Sequence, residues 1–350
     1  MTCAPNVPKF LLPLELWFYG RRHQRLGLPQ NAEARPSVAD GLGGPEKKTQ
    51  LRMNRRLSIL VALVATFALA GSASAAPAGG LRTSVIYSSL VSSPLHGNMP
   101  SVGAEAYAVN EFGNAVTFSA SKSRSLSSVV VTMSSWGCQS GHWTSGDCLT
   151  TPGATFSVPI TFNLYAADGG LTPGALIASA TQTFAIPYRP SASPTCAVDY
   201  PGEWYDTTLN ACFNEFATNV TFDTFTYAGD VAVALPDNVV FGITYNTSGH
   251  GYSPFGYANA CNGTEAGCPY DSLNIALAQD PTDVSVGTDT FVGTVWQNTS
   301  YGYNYCDGGA AGTSFFRLDS PGLASCMGAV DGAPTTSPFY IPAVQIKAAG

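Results

Sequence analysis

The sequence predicts an all-β protein, a single antiparallel jelly-roll-like β-sandwich with disulfide-held loops. Three observations predict it. Short runs alternate apolar and polar residues with a period of two, and each is bounded by Gly, Pro, Asn or Asp. The 3.6-residue periodicity of amphipathic helices is almost absent, and only 11% of residues are charged. Eight cysteines fall in the body of the chain as four close pairs.

An export signal precedes that body. Met53, Asn54, Arg55 and Arg56 form a short basic start, residues 57–69 are almost wholly apolar, and Ala73, Ser74 and Ala75 give the small-x-small pattern cleaved by signal peptidase. In that order they make a secretory signal peptide over 53–75, and its apolar core is too short for a permanent bilayer anchor. The mature protein is expected to run from Ala76 to Gly350 as one domain, secreted and extracellular. Residues 1–52 are read as a start assigned upstream in error or a disordered leader, and stand outside the fold argument.

Ten of the 16 Lys and Arg and four of the 23 Asp and Glu precede Ala76. The mature chain keeps six basic against 19 acidic residues, a net charge of −13. A surface so acidic repels phosphate and argues against nucleic acid and anionic lipid as partners. No later apolar stretch reads as a membrane span.

The strands follow in order. Residues 115–119, 128–133, 160–165, 176–184, 220–225, 239–245, 272–277, 290–296 and 341–347 carry the alternating or continuous apolar pattern. Asp168, Gly169 and Gly170 with Thr172, Pro173 and Gly174 make 160–186 a long hairpin whose tip is 167–174. Leu235, Pro236, Asp237 and Asn238 turn the chain into the 239–245 strand. Residues 136–153, 188–218 and 246–271 are long for plain loops, and three of the four cysteine pairs sit there. Nearest-neighbour pairing gives Cys138–Cys148, Cys196–Cys212, Cys261–Cys268 and Cys306–Cys326. Each bridge would pin a loop at on the order of 3 kcal/mol. The spacings are not those of zinc ligands.

Residues 111–118 (EFGNAVTF), 126–138 (LSSVVVTMSSWGC), 160–184, 235–246 (LPDNVVFGITYN) and 305–320 (YCDGGAAGTSFFRLDS) together resemble a group of secreted proteins of high-GC Gram-positive bacteria. The strand–turn element at 164–184 is similar to one in bacterial cell-surface jelly-roll modules. The resemblance implies a β-sandwich outside the cell and carries no active site with it.

Catalytic motifs are missing from the sequence. It has neither a GxSxG elbow nor an HExxH helix, and the histidines after the signal, His96, His142 and His250, are far apart. His142 and His250 read as loop residues. Paired carboxylates of a glycosidase would have to come from scattered acids such as Glu105, Glu203 and Glu215. Asp280, Asp283 and Asp289 are the best candidates for a structural calcium, since hard cations take Asp oxygens on loops; no other cofactor is expected. Trp296, Tyr301, Tyr303 and Tyr305 form the densest aromatic stretch, ending at Cys306. If extended, the three tyrosines share one face and offer a stacking surface for sugar rings. The expected function is therefore a secreted, non-catalytic protein that binds carbohydrate or another surface component through aromatic loops. The alternatives are an extracellular glycan hydrolase and a purely structural envelope or matrix protein.

Overall fold

Strands pair in two antiparallel sheets because the chain alternates turn residues with period-two apolar runs that need a covered face. The computed structural model describes residues 82–91, 95, 97–120, 123–196, 202–256, 268–319 and 339–350. These belong to one unit, Gly79–Gly350. The segments 1–52 and 53–75 lie outside the described residues.

One sheet runs Thr83–Ser88, Val344–Ala349, Ser125–Ser135, Leu273–Asp280, Phe339–Pro342. Phe216–Phe222 pairs with Ser125–Ser135, and Ser101–Gly103 with Leu273–Asp280. The other runs Thr226–Tyr227, Leu176–Pro187, Thr155–Ala166, Asn238–Tyr245, Val109–Thr117, Trp296–Thr299, Arg317–Leu318, with Thr288–Asp289 also on Val109–Thr117. Val109–Thr117, Ser125–Ser135 and Thr155–Ala166 fall in alternate sheets, the crossing pattern of a jelly roll. The first and last described strands lie side by side. Among the described residues no helix is long and apolar enough to cross a membrane.

The expected hairpin is present: Thr155–Ala166 pairs with Leu176–Pro187 through eleven registered positions. The core fills the gap between the sheets. Phe162 stacks on Phe241 at 5.8 Å and meets Phe222 of the opposite sheet at 6.0 Å, and Val129, Val131, Met133, Ile275 and Ile346 are buried with them.

One expected strand is replaced. Residues 290–295 form a turn, and only Trp296–Thr299 is extended. Asp289 Oδ1 accepts the Phe291 N–H at 3.0 Å, Asp280 Oδ2 accepts the Gly293 N–H at 3.0 Å, and Gly293 adopts φ +83°. Side-chain acceptors and a left-handed glycine together outbid the β pattern.

Two bridges are as expected. Cys138–Cys148 and Cys196–Cys212 close with Cα separations of 5.4 and 5.8 Å. Cys268 and Cys306 are also disulfide-bonded; their expected partners Cys261 and Cys326 lie outside the described residues. Within the middle excursion a small hairpin, Trp204–Asp206 with Ala211–Phe213, ends at the Cys196–Cys212 bridge.

Candidate functional site

The rim beside the end of Asn238–Tyr245 gathers the features that could bind a ligand. The loop 246–256 leaves that strand and is tied down by carboxylates from three other segments. Glu105 Oε2 accepts from Thr247 Oγ1 at 2.6 Å and from the Gly249 N–H at 3.0 Å. Asp271 accepts the Ser248 N–H at 2.7 Å and the Ser248 hydroxyl at 2.5 Å. Burial raises the Asp271 carboxyl above its ordinary value, against the pull of the Ser248 bonds. The Gly251 N–H donates to Asn110 Oδ1 at 2.8 Å, and Gly251 at φ +112° sits against Asn246, where a Cβ would be 2.5 Å from Oδ1.

The third tie is Glu111. On Val109–Thr117, Phe112 and Val116 face the core between the sheets, whereas Ala115 packs with Val240 and Trp296 on the opposite face. Glu111 alternates with Phe112 and so belongs to that outer face. It is nonetheless only 1% exposed. Its Oε1 accepts from Asn163 Nδ2 and from the Tyr165 hydroxyl, both at 2.9 Å, and its Oε2 accepts from the Tyr252 hydroxyl. Ser179 Oγ donates to Asn163 Oδ1 at 2.8 Å, extending the chain of bonds over a further strand. The carboxylate fits because Gly242, opposite Gly113 on the adjacent strand, leaves it room: a Cβ at 242 would lie 2.2 Å from Oε1. Burial, and then the Glu111 charge, push the Tyr165 and Tyr252 hydroxyls well above the usual phenol range, so both remain donors. Tyr252 keeps 60% of its surface in solvent while its hydroxyl is held.

The aromatic stretch divides. Tyr301 and Tyr303 are 46% and 76% exposed, and their rings stack at 5.3 Å with 12° between planes. His250, from the anchored loop, meets Tyr301 edge-on at 6.0 Å. Tyr305 and Trp296 do not belong to this surface, since each is 2% exposed. The expectation that Tyr301, Tyr303 and Tyr305 share a face rests on an extended segment, and Gly302–Asn304 is a 3-10 turn, with the Tyr305 N–H bonded to the Gly302 carbonyl at 2.9 Å. Tyr305 is turned inward under the Arg317 guanidinium, 3.7 Å from its ring, and its hydroxyl accepts the Thr299 N–H at 3.1 Å. Arg317 in turn pairs with Asp307 at 2.9 Å. Burial works against the Asp307 charge, yet Arg317 and the N–H groups of Ala311 and Gly309 hold it below the ordinary carboxylate range. Trp296 lies in the outer-face apolar cluster with Phe316 at 5.8 Å.

The candidate calcium residues also divide. Asp280 and Asp289 are 3% and 7% exposed and lie together. Burial, then the Asp280 carboxyl beside it, push Asp289 up to about 8. Asp283 is elsewhere engaged: its Oδ2 accepts the Gln279 N–H at 2.8 Å and closes the turn that follows the strand. His142 stacks against Trp143 at 5.9 Å and accepts the Thr144 N–H at 3.2 Å, the part of a loop residue. Cys196, Glu203 and Cys212 bring ligand-type atoms within 4.8 Å, but both sulfurs are spent in the disulfide, so no thiolate is available for a metal.

Comparison with protein-family models, curated proteins and solved structures finds no match for this chain. Sequence reasoning missed Glu111 and Tyr252. Alternation within 111–118 places Glu111 away from the core and reads as solvation. The signal that marks it as buried is Gly242, a glycine inside a strand pattern, which indicates close approach by another group.

Proposed function

We propose that this protein is an exported, extracellular β-sandwich that binds a carbohydrate through the aromatic rim formed by loops 246–256 and 299–305. The single observation that carries the reading is the stacked pair Tyr301 and Tyr303, both exposed, beside a loop held by Glu105, Asp271 and Glu111. Solvated stacked rings on a fixed support offer an apolar face to a sugar ring without an ordering penalty on binding. The outer face of Tyr303 is the contact surface, because its inner face is taken by Tyr301. Tyr252 adds a third exposed ring on the neighbouring loop. Export rests on the 53–75 signal and agrees with oxidised cysteines. N-terminal sequencing of the exported protein tests it and should read from Ala76.

Binding is tested by a glycan array with the oxidised protein, followed by titration calorimetry on any retained glycan. Tyr303→Ala should weaken binding by about tenfold, as the loss of one buried contact ring does. Its melting temperature should stay within a few degrees of the parent. Unchanged affinity in that variant, or an array with no retained glycan, would refute the reading.

A further inference from the structure

Two buried carboxylates without a cation beside them pose an electrostatic problem in the interior of the sandwich. Asp280 ends the strand Leu273–Asp280 of one sheet, and Asp289 lies on Thr288–Asp289 of the other, opposite Val116. Each spends one oxygen on a backbone N–H, Gly293 for Asp280 and Phe291 for Asp289. The remaining oxygens, Asp280 Oδ1 and Asp289 Oδ2, have no hydrogen-bond partner. Among the described residues neither carboxylate is in an ion pair.

Two further polar groups turn toward the pair. Asn114 is fully buried on the core side of Val109–Thr117, its Oδ1 accepts the Ala115 N–H at 2.8 Å, and its amide nitrogen is directed at Asp289. Tyr87 is fully buried on Thr83–Ser88, and its hydroxyl, which lies near Ser89 without a well-formed hydrogen bond, is close enough to feel both carboxylates. These side chains come from four segments in both sheets. Native interiors rarely leave one polar atom unsatisfied, and two carboxylate oxygens and a hydroxyl gathered in one place point to an occupant.

We propose that Asp280 and Asp289, with Tyr87 beside them, form a buried site for a hard divalent cation of the Ca²⁺ type. Two buried carboxylates with no cationic side chain paired to them place in a dry interior a charge that a divalent ion neutralises. Carboxylate and hydroxyl oxygens are what such an ion takes. Asn114 Oδ1 is engaged by the Ala115 N–H at 2.8 Å, so its amide flanks Asp289 and does not ligate. Asp283 is outside the set. The bound ion joins the 280–289 segment, through both its ends, to Thr83–Ser88, so it acts as a clasp on the sandwich.

The test uses the oxidised chain stripped with EGTA and then titrated with CaCl₂ at neutral pH, read by calorimetric melting. Millimolar Ca²⁺ should raise the melting temperature by about 5–10 °C, and EGTA should reverse it. Asp280→Asn and Asp289→Asn should each abolish the response, while Asp283→Asn should retain it. Terbium luminescence sensitised by Tyr87 supplies a second readout, present in the parent and lost in Asp289→Asn. A parent protein insensitive to Ca²⁺ would overturn the proposal. So would a full response in Asp289→Asn, which would assign the effect to surface acids.

Discussion

Replacing Glu111 by Ala tests whether one carboxylate organises the outer face and its loop. The change removes the acceptor of Asn163 Nδ2, Tyr165 OH and Tyr252 OH. Asn163 is 9% exposed and Tyr165 half-buried, so their donors stay dry, whereas Tyr252 regains water. A buried donor stripped of its partner costs about 1–3 kcal/mol, and two such donors give about 3 kcal/mol once relief of burying a charge is set against them. For a domain of this size that lowers the melting temperature by about 6–12 °C. Equilibrium denaturation and calorimetry on the oxidised protein measure it. A companion variant isolates the cause. Gly242→Ala places a methyl 2.2 Å from Glu111 Oε1 and 2.8 Å from its Cγ, and should cost about 1–3 kcal/mol. In the Glu111→Ala background the same methyl enters vacated space and should cost far less, a non-additivity expected only of groups in contact. A Glu111→Ala loss below about 0.5 kcal/mol, or strict additivity with Gly242→Ala, would refute the reasoning.

Three further outcomes follow from the packing. Burial holds the Glu215 carboxyl above its ordinary value, against the Met99 N–H at 2.6 Å and the Arg189 charge. The folded state therefore keeps a proton that the unfolded chain releases. Stability is greatest below the ordinary carboxyl range and falls as pH rises through the raised value, and Glu215→Gln should flatten that slope in melts across pH. Tyr305→Ala removes a buried ring stacked under Arg317 and should cost about 3–5 kcal/mol in denaturant unfolding, in contrast to the exposed Tyr303. Replacing both Cys138 and Cys148 by Ser should cost about 2.5 kcal/mol for a loop of ten residues, with unchanged far-ultraviolet dichroism.

Chain order alone carried the fold class, because period-two patterning and turn residues are local properties of a strand. The hairpin over 160–186 and the two closed bridges were legible for the same reason, each being a pairing of near neighbours. The 290–295 turn was not, since its apolar run matches a strand and is overruled by Asp280, thirteen residues before Gly293. Side-chain direction was the larger failure. Tyr301, Tyr303 and Tyr305 look equivalent in sequence, yet a 3-10 turn and the Arg317 guanidinium send one ring inward and leave two in water. Glu111 looks solvated, and only the approach of Gly242, Asn163 and Tyr252 from distant segments buries it. Asp280 and Asp289 were legible as acids near one another, but their desolvation, and the separation of Asp283 from them, are set by strands of both sheets. Strand propensity is written in neighbouring residues, whereas burial of a particular side chain depends on which remote groups close over it, and that is decided only when the two sheets pack.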